Sequence, residues 1–288
     1  MLSDLNNEYE VLLSSMTPLY KIYTIFQNNN KKRIIEEPCE ELKKLQRKLL
    51  PYLENIELHP SCIATKTKGT VVNSLVHHNA KSLLKVDLKN CYRSIRPTMF
   101  IREVTSESNL RTIIDICFYI GPSVEEHYLP TGAPTSPVIC NISLTYLDNV
   151  LANNAKSNGY RYTRYIDDLI FSTEEESKAD NKFKEFVFDT IHNQELEVNY
   201  KKSRWHLAAT GDPLIATGIR LVGDNRIPKS FNRMMRARLQ NIAMAGVGLD
   251  AETHGCLSYI RSIDPNQYTK FLKYYEKRKA IAINALPY

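Results

Sequence analysis

The chain has 288 residues, 43% of them hydrophobic and 24% charged, with a formal net charge of +6. Those proportions are ordinary for a globular protein and exclude a low-complexity or disordered chain; the length allows one large lobe or two to three small lobes sharing a core. No apolar run approaches the roughly 18 residues a membrane helix requires, and Asp4 stands where a secretory leader carries base, so the expectation is a cytoplasmic protein with no membrane partner.

From the N-terminus, residues 20–26 read as a strand, residues 28–32 as a turn and residues 33–35 as a resumed extended run, which makes a hairpin with bases near its tip. Residues 40–54 space Leu42, Leu45, Leu49 and Leu50 along one helical face, with Pro38 shortly before it and Pro51 interrupting its end. Residues 81–88 form a short apolar strand with Asp87 near its end, and a mixed helical stretch follows over 98–120. Residues 129–137 hold Gly132 and three prolines and read as a loop, after which 138–151 has helical periodicity. Residues 161–172, RYTRYIDDLIFS, place two β-rich arms around Asp167 and Asp168. A helix is expected over 177–194, then strands near 196–199, 204–208 and 214–221, and from residue 230 the pattern is helical and basic. Strands and helices alternate in the middle with helices towards both ends, which predicts an α+β chain around a central sheet.

The positive charge is concentrated. Residues 226–288 carry eleven Lys/Arg against four Asp/Glu, leaving 27 of the 38 bases and 28 of the 32 acids for the rest of the chain. Basic helices at one end suit a phosphate backbone, whose binding is driven by counterion release, or else form a solvated face. The six cysteines (Cys39, Cys62, Cys91, Cys117, Cys140, Cys256) show no CxxC pair and no histidines at zinc spacing, so they read as reduced structural thiols.

Two adjacent anions at a hairpin tip repel each other, and a polyvalent cation is their natural compensation, although an Asp pair in a turn is more often a solvated turn. Asp87 at the end of an apolar strand changes the odds. If that strand lies beside the hairpin, three carboxylates converge, and an all-oxygen donor set suits Mg²⁺ with its remaining ligands taken from phosphates. Two such ions can activate a primer hydroxyl and steady a departing pyrophosphate.

Tyr165-Ile166-Asp167-Asp168 resembles the YxDD signature of reverse transcriptases, and Asp87 to Ile95 resembles their first metal-binding motif. LPTGAPTSP from Leu129 is similar to the LPQGAPTSP loop of retron and group II intron enzymes, and Asn199-Tyr200-Lys201-Lys202-Ser203 to their NxxKT motif. Arg33, Ile35 and Pro38, then Leu42, Lys43 and Gln46, resemble the finger motifs of the same enzymes. Two features point to bacterial retron-type enzymes in particular: Asn73-Ser74-Leu75-Val76-His77 resembles their NAxxH motif and Ala216-Thr217-Gly218 their VTG motif. The resemblance runs from about residue 20 to the C-terminal helices, and many motifs in the family's order make it specific.

The resemblance implies a right-hand polymerase, with fingers over 1–80 and 97–128, a palm with an antiparallel, RRM-like sheet over 81–96 and 129–226, and a basic helical thumb over 227–288. It implies that Asp87, Asp167 and Asp168, with the Leu88 carbonyl, hold two Mg²⁺ ions. Tyr92 would be a steric gate against ribonucleotides, or a core tyrosine. Arg33 would grip the incoming triphosphate, or form a surface salt bridge. Lys202 would protonate or neutralise pyrophosphate, or be a solvated lysine. Thr131 stands where the family usually has Gln, too short to reach as far, which leaves nucleotide positioning to the Gly132 backbone or a water. Asn73, His77, Thr217, Gly218, Arg233, Arg236, Lys270 and Lys273 are the RNA-binding candidates; for His77 a satisfied structural histidine is an equal alternative. Arg238, Lys277 and Arg278 belong with the basic helices, where Tyr268, Phe271, Tyr274 and Tyr275 read first as core packing.

By the same resemblance the expected activity is copying a structured noncoding RNA into DNA from deoxynucleoside triphosphates. The product would be a branched RNA–DNA hybrid, made in phage defence beside an effector protein. The alternatives are another bacterial defence or abortive-infection reverse transcriptase, untemplated or protein-primed, and an RNA-binding scaffold whose site has decayed.

Overall fold

Leu5, Tyr9 and Leu12 recur at helical spacing and are buried, and they make the first element a helix, α1 (Leu2–Ser14), which the sequence reading did not resolve. A computed structural model describes residues 2–15, 17–27, 31–104, 110–121, 127–175, 179–221 and 227–284. The expected hairpin follows as β1 (Tyr20–Gln27) paired antiparallel with β2 (Lys31–Pro38), in a register that sets Ile25 opposite Arg33. The tip itself, residues 28–30, lies outside the described residues.

Helix α2 (Glu40–Leu53) buries Leu42, Leu45, Gln46, Leu49 and Leu53, and contains Pro51. The expectation that Pro51 interrupts the helix is corrected. A proline in the last turn removes a single backbone bond, and the full burial of Leu53 beyond it holds that turn. Helix α3 (Thr70–Val76) precedes β3 (Ser82–Asp87), whose apolar run is buried nearly throughout. The stretch expected to be helical over 98–120 is divided among short helices: after α4 (Cys91–Ser94) come α5 (Pro97–Glu103) and α6 (Leu110–Cys117), with residues 105–109 outside the described set.

The proline-rich loop ends earlier than expected. Helix α7 (Ser136–Ser143) already contains Pro137, because a proline in the first turn has no hydrogen bond to lose. It breaks at Leu144 before α8 (Thr145–Ser157), so the single periodic run over 138–151 is two helices. Strands β4 (Arg161–Tyr165) and β5 (Asp168–Thr173) are the two arms around the aspartates. Helix α9 (Asn181–His192) starts where the Asp180 side chain accepts from the Phe183 N–H at 3.1 Å, later than the 177 expected.

The expected strand at 196–199 is reduced to one bridge between Val198 and Leu88, whereas 204–208 forms β6 (Arg204–Leu207). The strand expected over 214–221 is instead a minimal hairpin of β7 (Ile215–Ala216) and β8 (Ile219–Arg220). It turns on Thr217 and Gly218 at φ +43° and +84°, both in the left-handed region that closes two-residue hairpins. Three helices end the chain: α10 (Lys229–Ala245), α11 (Ala251–Ile263) and α12 (Pro265–Asn284).

The main sheet has the order β4-β5-β3-β6, and with the helices it gives the expected α+β class. Contacts divide the chain into two units. The first comprises Met1–Thr65, Leu84–Phe171 and Asp180–Arg204, with a core that includes Leu49, Phe100, Ile116, Ile139, Leu151 and Phe171. The second comprises Lys66–Leu83, Ser172–Ala179 and Trp205–Tyr288, with a core of Ile219, Met235, Leu239, Ile260, Phe271 and Tyr275. Among the described residues no helix is long and apolar enough to cross a membrane, and all six cysteines are free thiols.

Candidate active site

Burial of Leu84 and Val86 carries Asp87 to the end of β3, where it is 8% exposed. Both its carboxylate oxygens are engaged. Oδ1 accepts from Asn199 Nδ2 at 2.7 Å and Oδ2 from Lys202 Nζ at 2.7 Å. The Asp87 backbone N–H donates to Ser203 Oγ at 3.0 Å, and its carbonyl accepts from the Asn199 N–H at 2.8 Å. The segment from Asn199 to Ser203 thus wraps the strand end through three of its five residues. Leu88, next in the chain, donates its N–H to the Asp167 carbonyl at 2.9 Å, which ties Asp87 to the β4–β5 turn.

That turn holds Ile166 at φ +55°, a conformation a β-branched residue rarely takes. Asp167 and Asp168 follow it, each half-buried. Burial raises the Asp167 carboxyl above the usual range, and the charges of Asp168 and Asp87 add to the rise. Burial likewise raises Asp168; Lys85 draws it back, Asp87 adds to the rise, and Lys202 also offsets it. Lys202 is raised first by its bond to Asp87, then by the charges of all three aspartates, although its own desolvation opposes this. The three carboxylates are therefore electrostatic neighbours, with Lys202 as the cation beside them; its side chain stays exposed while its Nζ holds Asp87. Among the described residues no three His, Cys, Asp or Glu side chains form a metal-ready group, and Asp87 is turned to Asn199 and Lys202.

The remaining candidates of the first unit lie around the loop over 129–135. Tyr92 is partly buried; burial drives its phenol pKa up, the Asp167 charge adds to this, and the Arg33 charge counteracts it. Arg33, exposed on β2, thus stands within electrostatic reach of Tyr92, and Tyr92 within reach of Asp167. The Tyr92 carbonyl accepts from the Leu129 N–H at 3.2 Å, so the gate candidate anchors the start of the loop.

Glu36, which the sequence reading passed over, anchors the loop's middle. Its Oε2 accepts from the Thr131 N–H at 3.1 Å and its carbonyl from the Gly132 N–H at 3.2 Å. Gly132 is required by space, because a Cβ there would lie 2.8 Å from the Glu36 carbonyl oxygen. Arg93 lies 3.5 Å from Glu36 Oε1 and donates to the Tyr128 hydroxyl at 2.8 Å. The only sequence signal for Glu36 is an acid inside an otherwise β-rich run.

The second unit gathers another set. Asn73 is fully buried and donates to Thr217 Oγ1 at 3.3 Å, and Thr217 donates to the Thr70 carbonyl at 3.4 Å. His77, also fully buried, shares a 2.7 Å hydrogen bond between Nδ1 and Ser172 Oγ. The side chains of Asn73 and His77 are turned inward, and Asn73 supports the Thr217–Gly218 turn. Gly218 is exposed, with the Tyr259 hydroxyl 3.4 Å from where its Cβ would be. Arg233 and Arg236 join Lys229, Asn232 and Gln267 around a cavity of about 290 Å³ on one face of α10, whereas Lys270 and Lys273 are exposed on α12. Phe271 and Tyr275 are core, and Tyr268 and Tyr274 pack beside it under Arg261 and Arg278.

The family model described as reverse transcriptase (RNA-dependent DNA polymerase) matches residues 25–254. Similar proteins include the retron Ec86 reverse transcriptase of Escherichia coli, 28% identical over 90% of this chain and 81% of its own length. The retron Ec73 reverse transcriptase of the same organism is 29% identical, over 94% of this chain and 92% of its own. The resemblance to retron enzymes read from the motifs is therefore borne out. A structure of telomerase from Candida albicans with a fragment of telomeric RNA is similar in fold, with a TM-score of 0.50 and 12% identity. That match covers 98% of this chain and 65% of the telomerase chain, just under two thirds of it.

Proposed function

The chain belongs to the reverse transcriptase (RNA-dependent DNA polymerase) family, and from that premise we propose that it copies a structured noncoding RNA into DNA in the retron manner, using Asp87, Asp167 and Asp168 to hold two Mg²⁺ ions. The observation that carries this reading is the tie between the two acidic segments: the 2.9 Å bond from the Leu88 N–H to the Asp167 carbonyl, with Asp167 and Asp168 raised by burial and like charge. Buried anions that repel one another, on hard oxygen donors, fit a divalent cation, and the Leu88 carbonyl is the candidate fourth donor. Bound there, the metal pair would supply an activated primer hydroxyl and charge neutralisation on the leaving pyrophosphate.

The chain's own groups do the rest. Lys202 must leave Asp87 Oδ2 to free that oxygen, and released beside the site it becomes the donor available to pyrophosphate. Arg33 offers a guanidinium fork to the triphosphate. Tyr92, held at the start of the loop, sets its ring against the sugar and excludes a 2′-hydroxyl. Thr131 offers no long amide, and Glu36 fixes the loop by occupying the Thr131 and Gly132 N–H groups, which leaves nucleotide positioning to a bridging water. We assign residues 1–80 and 97–128 as fingers, 81–96 and 129–226 as palm, and 227–288 as thumb. The exposed Arg233, Arg236, Lys270 and Lys273 would meet the phosphates of the cognate RNA and the RNA–DNA hybrid. Phage defence with a partner effector protein, in the cytoplasm, completes the reading.

The test is primer extension on an RNA template with Mg²⁺ titrated against EDTA, together with sequencing of the nucleic acid that co-purifies from cells. Cation-dependent synthesis and a discrete RNA covalently joined to DNA are expected. Random DNA or a protein–DNA adduct would instead indicate an untemplated or protein-primed defence enzyme. Absence of any synthesis would leave the decayed scaffold.

A further inference from the structure

Arg164 is fully buried, and its guanidinium lies directly behind the aspartate turn. Nε and Nη2 donate to the two oxygens of Asp148, itself fully buried, at 2.9 and 2.7 Å. The Tyr162 hydroxyl adds a third bond to Asp148 at 2.7 Å. Nη1 donates to Asn141 Oδ1 at 2.9 Å and to the Ile166 carbonyl at 3.2 Å, while Nη2 also donates to the Asn141 carbonyl at 3.2 Å. The Arg164 backbone is pinned too, its N–H donating to the Ser61 carbonyl at 2.8 Å and its carbonyl accepting from the Ile63 N–H at 2.9 Å. Asn141 is steadied in turn, its Nδ2 donating to the Ala64 carbonyl at 2.8 Å.

A buried arginine is a poor source of net stability, since desolvation offsets much of its attraction to a carboxylate. Its planar fork instead fixes directions in space. The one bond it makes into the turn ends on the Ile166 carbonyl, which belongs to the peptide unit that leads into Asp167. Ile166 is the residue held in the left-handed region, where a β-branched side chain does not rest unaided. We propose that Arg164, braced by Asp148 and Asn141, is a positioning residue that holds the Ile166–Asp167 peptide in its unusual orientation and so aims the Asp167 carboxylate at the cation position. Asp148 aligns the guanidinium from behind, Asn141 steers the arm that reaches the turn, and the Ile166 carbonyl receives it. The inference rests on the polymerase reading above, because it gives that turn a cation to face.

The discriminating experiment uses the full chain and compares Arg164→Lys with Tyr162→Phe, a change that removes a bond to Asp148 and leaves every Arg164 bond to the turn and to Asn141 in place. Thermal midpoint, Mn²⁺ affinity by electron paramagnetic resonance of the free ion, and steady-state kinetics of dTTP incorporation on poly(rA)–oligo(dT) are read for each. Lysine keeps the charge but cannot hold Asp148, Asn141 and the Ile166 carbonyl in one plane. The expectation for Arg164→Lys is Mn²⁺ affinity and kcat each reduced about tenfold with KM for dTTP nearly unchanged. Tyr162→Phe loses thermal stability while keeping both quantities. Unchanged Mn²⁺ affinity and kcat in folded Arg164→Lys would overturn the proposal, as would losses in Tyr162→Phe that track its stability. Should Arg164→Lys fail to fold, Asn141→Ala decides: reduced Mn²⁺ affinity supports the inference and full affinity removes it. Wild-type protein without Mn²⁺ binding or synthesis would sink the polymerase reading itself, a result distinct from any of these.

Discussion

In the first unit, Asp87, Asp167 and Asp168 lie at strand ends, buried or half-buried, with Asn199 and Lys202 already on the Asp87 oxygens. In the second, Lys229, Arg233 and Arg236 border a cavity on an exposed helical face. Charge in the first region is partly desolvated and coupled through direct bonds, so removing one group changes what its neighbours can do. Charge in the second is wet and screened, so each group should act on a polyanion nearly independently. The contrast separates a region built to orient from one built to attract.

The sharpest way to break the comparison is to neutralise the coupled acids. Asp167→Asn with Asp168→Asn is expected to lower primer extension with Mg²⁺ by at least about a thousandfold, and near-normal extension would end the metal assignment. Asp167→Asn alone should raise the thermal midpoint of the metal-free protein. The sign follows from the raised carboxyl: in the folded state its charged form is disfavoured, stability is gained as pH falls through the raised value, and an uncharged amide supplies that gain at neutral pH. The same raised carboxyls let protons compete with cations, so Mg²⁺ affinity should fall as pH is lowered towards their range.

Gly132→Ala forces a Cβ to within 2.8 Å of the Glu36 carbonyl oxygen. Loop displacement should lower kcat/KM for nucleotide by on the order of a hundredfold, with folding checked by circular dichroism. In the second region, Arg233→Ala with Arg236→Ala should weaken RNA binding about tenfold and flatten the salt dependence by roughly two phosphate contacts. An unchanged salt slope would show that this face is only solvated. Tyr92→Val should raise ribonucleotide incorporation about tenfold in competition with deoxynucleotides, and unaltered selectivity would return Tyr92 to a core role. The smallest effect belongs to Arg238, whose exposed bonds to Asp250 and Glu252 are surface pairs. Replacing it by Ala should shift the thermal midpoint by only about 2 °C.

Much of this site was legible before folding. Asp87 at the end of an apolar strand, the aspartate pair between two β-rich arms and the glycine among prolines are local signals, because each needs only its neighbours in sequence to be unusual. Asp148 was legible in principle as well: an acid on the buried face of a helix with Leu147 and Leu151 implies a buried partner. Glu36 was not, since its role comes from a loop almost a hundred residues away. The inward turn of Asn73 and His77 was hidden for the same reason, their partners being Thr217 and Ser172.

The sequence by itself determined the first hairpin, the acids at the end of one apolar strand and between two β-rich arms, and the basic helical end, because hydrophobic period, turn chemistry and charge are written residue by residue. Tertiary structure alone decided that Lys202 rests on Asp87, that Glu36 clamps the loop, and that a buried Arg164 stands behind the Ile166 turn. Those are contacts between distant segments, and such contacts form only when burial brings the segments together and leaves a polar group no partner except the one that packing supplies.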